Sequence, residues 1–141
     1  MSTELPWEIR LTLRAGSVYY FVDRSLNSPE PHYFIVVNRD PIDQEVLILN
    51  VITSKVDKVR HFRAALPGTL VALDPADYDE LSRPSIVDCN NVFRRNLAEL
   101  IDMTVHGAVE AKQQVPDHIL SALRTAILAS PLVEQEIKDL V

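Results

Sequence analysis

Nine residues constrain this chain more than any others: "LILNVITSK", Leu47 to Lys55. A strand with one wet face alternates apolar and polar residues. Here Leu47, Ile48, Leu49, Val51 and Ile52 are interrupted only by Asn50, so the run reads as a strand buried on both faces. It then ends in two hydroxyls and an ammonium. Alternation puts Val51, Thr53 and Lys55 on one face and Ile52 and Ser54 on the other. Such hydroxyls either end a strand by bonding their own backbone or offer donors to something beyond it.

Similar runs flank this strand. "GSVYYFV" (16–22) starts after a glycine, and "HYFIVVN" (32–38) follows the loop-rich "RSLNSPEP" (24–31). "RDPID" (39–43) is a turn leading into "EVLILNVITS" (45–54). "TLVALD" (69–74) and "SIVDCNNVF" (85–93) predict two further strands. Between them Asp74-Pro75-Ala76-Asp77 predicts a capped helical or 3₁₀ turn over 75–81. "NLAE" (96–99) has capping-box spacing, and "LIDMTVHGAV" (100–109) reads as a last strand broken at Gly107. Beyond Pro116 the period changes: Ile119, Leu120, Leu123, Ile127 and Leu128 share one helical face. Ser130-Pro131 stops that helix and opens a second, with Val133, Ile137, Leu140 and Val141 as its apolar stripe.

Five or six short strands followed by helices predict a mainly β, α+β chain with a small SH3-like barrel. With 141 residues and no repeat or linker, a single domain over 1–141 is expected, the barrel at 15–110 and the C-terminal helices at 116–141. No apolar run reaches the ~20 residues of a membrane span. The opening "MSTELPWEIRLTLRAG" lacks a secretory pattern, and the one cysteine, Cys89, permits no internal disulfide, so a cytoplasmic address is expected. The net charge of −6 argues against a general nucleic-acid coat. Charge is nonetheless segregated: Lys55, Lys58, Arg60 and Arg63 crowd 54–63, whereas Asp74, Asp77, Asp79 and Glu80 crowd 73–80.

Cofactor chemistry has little to rest on. The three glycines are scattered, no Cys/His cluster suggests zinc, and no G-x-S-x-G elbow is present. What remains is a set of single residues at strand ends. His32 opens the second strand directly after Pro31, and its ring suits proton transfer at neutral pH or a structural hydrogen bond. His61 lies in the basic segment; His106 and His118 read as structural. In "IVDCNN" Asp88 and Asn90 leave one face of an apolar strand, which means a wet groove or a hydrogen-bonded network. Cys89 reads as a small buried hydrophobe rather than a nucleophile.

Taken in order, "GSVYYFVD", "PHYFIVVN", "NVITSK", "VDCNNV" and "RNLAELIDMTVHGAVEAKQQVPDHILSALRTAIL" resemble the MazF/PemK family of toxin endoribonucleases from bacterial toxin–antitoxin systems. The resemblance runs over about residues 15–129 and lies in order and spacing. The family's arginine before a proline is absent, with Pro31 or His32 near its place. The family's D-Q pair corresponds to Cys89-Asn90, or to Asp88 shifted by one, and 131–141 is an extension.

The resemblance implies metal-independent cleavage of single-stranded RNA, without a cofactor, by a homodimer that a cognate antitoxin protein neutralises. Carried onto this chain, it implies His32 as base or acid and Arg24 as a phosphate clamp in place of the absent arginine. Thr53 would donate to the phosphate, and Asp88 would be the second proton-transfer group. Ser54, Lys55, Lys58, Arg60 and His61 would bind substrate. The competing expectation, from the acidic balance and the missing arginine, is a non-catalytic SH3-like module that binds a protein through the 74–80 turn or the C-terminal stripe. In a further alternative the last helix serves only for dimerisation or packing.

Overall fold

The structure, a computed structural model, describes residues 5–141; Met1–Glu4, the first part of the N-terminal stretch considered above, lie outside the described residues. In chain order the elements are α1 (Trp7–Thr12), β1 (Val18–Phe21), β2 (His32–Val36), α2 (Pro41–Gln44), β3 (Val46–Thr53) and α3 (Val56–Phe62). After a 3₁₀ turn (Pro67–Thr69) come β4 (Leu70–Leu73), β5 (Ser85–Asp88), β6 (Phe93–Asn96), α4 (Leu97–Val105), β7 (Glu110–Lys112), α5 (Asp117–Ala129) and α6 (Gln135–Lys138).

β3 is the hub. One edge pairs with β2; the other pairs first with β6, through Val46–Leu49, and then with β5, through Ile52 and Thr53. The strand order is β4-β5-β3-β2-β1-β7, every pairing is antiparallel, and the sheet is not closed. Because β3 is covered on both faces, its alternate side chains enter two cores. Val46, Ile48 and Ile52 pack with Leu120, Leu123 and Ile127 of α5 and Ile137 of α6. Leu47 and Leu49 pack with Ile9 of α1, Phe21, Phe34 and Leu97 and Leu100 of α4. The buried Asn50 that interrupts the run has a place: its Nδ2 donates to the Asn91 carbonyl at 3.4 Å. A second buried amide, Asn38, clamps the β2–β3 connection. Its Nδ2 donates to the Val46 carbonyl and its Oδ1 accepts from the Ile48 N–H, at 2.7 and 3.0 Å.

The predicted mainly β, α+β architecture holds, although the sheet does not close into the expected barrel, and four segments depart from expectation. Residues 100–109 do not form a strand: Asn96 and Glu99 complete a capping box, and the helix α4 it opens runs to Val105. Its end coincides with Gly107, whose φ of +67° is left-handed backbone. The run 85–93 is two strands, because Asp88 turns the chain by accepting the Asn90 N–H on its side chain. Residues 75–81 form only a capped turn, with the Asp74 carboxylate accepting from the N–H groups of Ala76 and Asp77. The last helix shrinks to one turn, yet Val133 and Ile137 are buried in this chain's own core, so 131–141 packs on the body of the molecule. Helices α1 and α3 had no expectation attached; both are too short for periodicity to declare.

Candidate functional site

The register between β3 and β5 builds the site. Thr53 sits opposite Ile86, so the exit of β3 lies against the start of β5 and the loop that precedes it. On β3's other side runs β2, whose first residue is His32. A cleft of about 390 Å³ opens where these ends meet. His32, Thr53, Ser54 and Lys55 line it, so four of the residues singled out from sequence converge. Glu30, Glu80 and Arg83 complete its charged wall, and Tyr20 and Tyr33 its aromatic one.

Thr53 does part of what a strand-ending hydroxyl does: its Oγ1 accepts the Lys55 N–H at 3.2 Å, turning the chain from β3 into α3. That bond uses a lone pair and leaves the hydroxyl proton free to donate. His32 carries a different signature. Its Nδ1 is shut off from solvent and has no hydrogen-bond partner among the described residues. An orphaned buried polar atom is costly and uncommon, and it calls for a structural or functional reason. None of Lys55, Arg83, Glu30 and Glu80 makes an ion pair among the described residues. The tyrosine rings stand 4.6 Å apart between centroids. The Tyr33 hydroxyl donates toward the Glu80 carbonyl at 3.4 Å, and burial, then the Glu80 and Tyr20 charges, push its pKa up.

The other candidates lie elsewhere. Arg24 lines a separate depression of about 630 Å³ with Asp23, Ser25 and Arg95. Asp88 is committed to structure. Arg63 Nε donates to it at 2.9 Å, and its Oδ1 takes both the N–H and the Nδ2 of Asn90. Asn90 continues the chain of bonds to Thr69 Oγ1 at 2.7 Å and Ser130 Oγ at 2.6 Å. Of the two expectations for this pair, the hydrogen-bonded network is the one realised. Lys58, Arg60 and His61 are exposed on α3, beside the cleft rather than in it. Cys89 is fully buried, as expected.

Arg83 is, with Glu30, a charged group of the cleft that sequence reasoning missed. It sits in the Ser82-Arg83-Pro84 loop ahead of β5, and only the β3–β5 register brings that loop to Lys55. Among the described residues, the depression beside Arg24 and one of about 570 Å³ between β4 and α5 are both roomier than this cleft. The latter is walled by small and apolar residues with His118 as its one titratable group. Convergent donors, not volume, select the cleft. Among the described residues no group of His, Cys, Asp and Glu gathers as metal ligands would, and no helix is long and apolar enough to cross a membrane.

No protein-family model matches the sequence, and no curated protein does. Solved structures do match. An endoribonuclease in complex with its cognate antitoxin, from Mycobacterial species, superposes with a TM-score of 0.51 at 13% identity, over 82% of this chain and 91% of that one. The Mycobacterium tuberculosis toxin MazF-mt6 aligns over 79% of this chain and 91% of that one, at 16% identity and a TM-score of 0.47. At such identities the likeness is one of fold. This chain shares the fold of the solved endoribonuclease while diverging from it in sequence, as the order and spacing of its strand motifs implied.

Proposed function

We propose that the protein is the toxin component of a toxin–antitoxin system and cleaves single-stranded RNA without a metal ion. The observation that carries this is the convergence of His32, Thr53, Ser54, Lys55 and Arg83 in one cleft of a fold shared with an endoribonuclease. In such a cleavage the ribose 2′-oxygen attacks the adjacent phosphorus and the bond to the 5′-oxygen breaks. The products are a 2′,3′-cyclic phosphate and a 5′-hydroxyl. One group must take the 2′-proton, another must protonate the 5′-oxygen, and fixed donors must stabilise charge on the phosphoryl oxygens.

His32 takes one of the proton-transfer roles, its unpartnered Nδ1 supporting a ring with bonding capacity to spare. Thr53 and Ser54 donate to a phosphoryl oxygen, Thr53 with the proton its bond from Lys55 leaves free. Lys55 and Arg83 supply the positive charge. Arg83 thereby fills the role expected of Arg24, from the opposite wall of the cleft, and Glu30 or Glu80 replaces Asp88 as the second proton-transfer group. Lys58, Arg60 and His61 hold the flanking strand. A homodimer in the cytoplasm, neutralised by a partner antitoxin, completes the proposal; the support is the solved neighbour in complex with its own antitoxin.

Purified protein is expected to cut single-stranded RNA in excess chelator and to leave cyclic phosphate ends. The double variant His32→Ala/Thr53→Ala should lose this by roughly 10²–10⁴-fold. Undiminished cutting by the double variant, or no cutting by wild type at high enzyme concentration, sinks the proposal.

A further inference from the structure

The helix that leaves the cleft carries one residue, Phe62, that the proposed nuclease site does not use. On α3 the half-buried residues are Val56 and Val59, with Arg63 just beyond the helix end tied to Asp88. Helical spacing then sets Lys58 and Phe62 on one outward stripe, Lys58 three residues after the cleft residue Lys55, with His61 beside them. Phe62 is 72% exposed, more than any other large apolar side chain among the described residues. One side of its ring carries the Arg63 guanidinium, 4.6 Å from the ring centroid; the remainder faces solvent. Lys55, Lys58 and Arg60 make no ion pair among the described residues, and Asp57 is the one carboxylate in their segment. A cationic stripe ending in a bare aromatic ring, in a chain of net charge −6, is a local reversal of the protein's field.

We infer that α3 is a track for single-stranded RNA leaving the cleft, its phosphates against Lys55 and Lys58 and one base stacked on the free part of the Phe62 ring. The inference rests on the proposed nuclease site and extends its substrate contact beyond the scissile step. A polyanion whose every unit ends in a π-face matches this arrangement; stacked bases and backbone cations are how proteins hold single strands without reading sequence. The stripe is continuous with the cleft, since Lys55 belongs to both. From Lys55 to Phe62 the helix rises ~10 Å, so a strand short enough to lie within the cleft never reaches the ring.

The test uses uncleavable 2′-O-methyl oligonucleotides, a trinucleotide and a decanucleotide, each bound to full-length protein and followed by fluorescence anisotropy. Phe62→Ala is expected to weaken the decanucleotide about tenfold and leave the trinucleotide unchanged. Phe62→Trp, in a Trp7→Phe background, should restore binding and show its emission quenched by the decanucleotide. Lys58→Ala should flatten the salt dependence of decanucleotide binding by roughly 0.7 log unit, whereas Arg60→Ala, on the other side of the helix, should leave the slope unchanged. If wild type binds both oligonucleotides and Phe62→Ala binds them equally well, the track is wrong while the cleft stands. If wild type binds neither, the nuclease site fails and the track with it. Loss of self-association in Phe62→Ala, with decanucleotide binding unaltered, reassigns the ring to a protein contact and overturns the track.

Discussion

Two depressions on this molecule each hold arginine, carboxylate and serine side chains and treat them in opposite ways. Beside Arg24, the side chains of Asp23, Ser25 and Arg95 are bonded to one another. Arg95 Nη2 donates to Asp23 Oδ2 at 2.7 Å and to Ser25 Oγ at 3.2 Å, while Ser25 returns its N–H and hydroxyl to Asp23 Oδ1. Arg95 also reaches Glu99 at 4.0 Å. In the His32 cleft, cations and carboxylates stand unpaired and a buried ring nitrogen has no partner among the described residues. The lesson is about closure. A polar cluster that satisfies itself holds the fold; one that leaves donors over has capacity for something else.

The comparison breaks most visibly at its two loop arginines. Under the proposed chemistry, Arg83→Ala removes a charged donor from the phosphate and should lower kcat/KM for RNA cleavage by roughly 30- to 1000-fold, or about 2–4 kcal/mol. Arg24→Ala, outside the His32 cleft, should stay within about twofold. Both residues are exposed, so melting temperatures should hardly move. Equal losses from the two variants would erase the distinction between the clefts.

The converse variant is Asp23→Ala. The Asp23 side chain is 5% exposed, and removing it strands Arg95 and both Ser25 donors. Urea titration should show a loss of about 2–3 kcal/mol, with cleavage by the folded fraction intact. Acid sharpens the point. Burial works to raise the Asp23 pKa, but the Ser25 hydrogen bonds and then Arg95 outweigh it and hold the carboxyl below its usual value of 3.8. A depressed folded pKa means stability present above that value and lost as pH falls through the folded one. The acid unfolding of wild type below about pH 4 should therefore be blunter in Asp23→Asn.

How far the sequence disclosed this contrast depends on reach along the chain. The two-sided burial of "LILNVIT" and the Thr53-Ser54-Lys55 exit are local, and so were legible. His32 was legible because Pro31 marks the start of its strand. Arg83 was not: nothing in Ser82-Arg83-Pro84 says that its loop will face Lys55, which follows only from pairing Thr53 with Ile86 across more than thirty residues. Asp88 failed for the related reason that its partner, Arg63, looked like part of a basic surface until α3 folded it back. The 100–109 stretch misled differently. Its β-rich letters suggested a strand, while the capping box just upstream had already set a helix.

The thiol of Cys89 extends the closed side of the comparison to alkaline pH. Burial, then the Asp88 charge, pushes it from 9.0 to about 12. The folded state keeps its proton where the unfolded chain loses it, so the thiol's contribution is complete below pH 9. It falls as pH rises from there toward 12, by up to ~1.4 kcal/mol per pH unit. Cys89→Ala should flatten that alkaline limb in chemical denaturation. In native protein at pH 8, a thiol reagent should label Cys89 only as fast as the chain opens; labelling at the rate of a free thiol would contradict its enclosure.

The smallest effect belongs to a pair that looks like the Asp23–Arg95 bridge in outline and differs from it in solvent. Arg94 Nη1 lies 3.3 Å from Glu136 Oε1, linking β6 to α6, but the two side chains are 53% and 68% exposed. In water the attraction is screened, and holding two long side chains in one geometry costs entropy of similar size. The pair also carries no buried partner that its loss would strand. Arg94→Ala should therefore change stability by less than about 0.5 kcal/mol. A double-mutant cycle with Glu136→Ala should give a coupling that vanishes at high salt. The same cycle on Asp23 and Arg95 should give a coupling several times larger that survives salt, because that bridge is mostly withdrawn from solvent. If both cycles returned the same coupling, enclosure would not be what separates structural from surplus charge on this molecule, and the case for the His32 cleft would lose its physical basis.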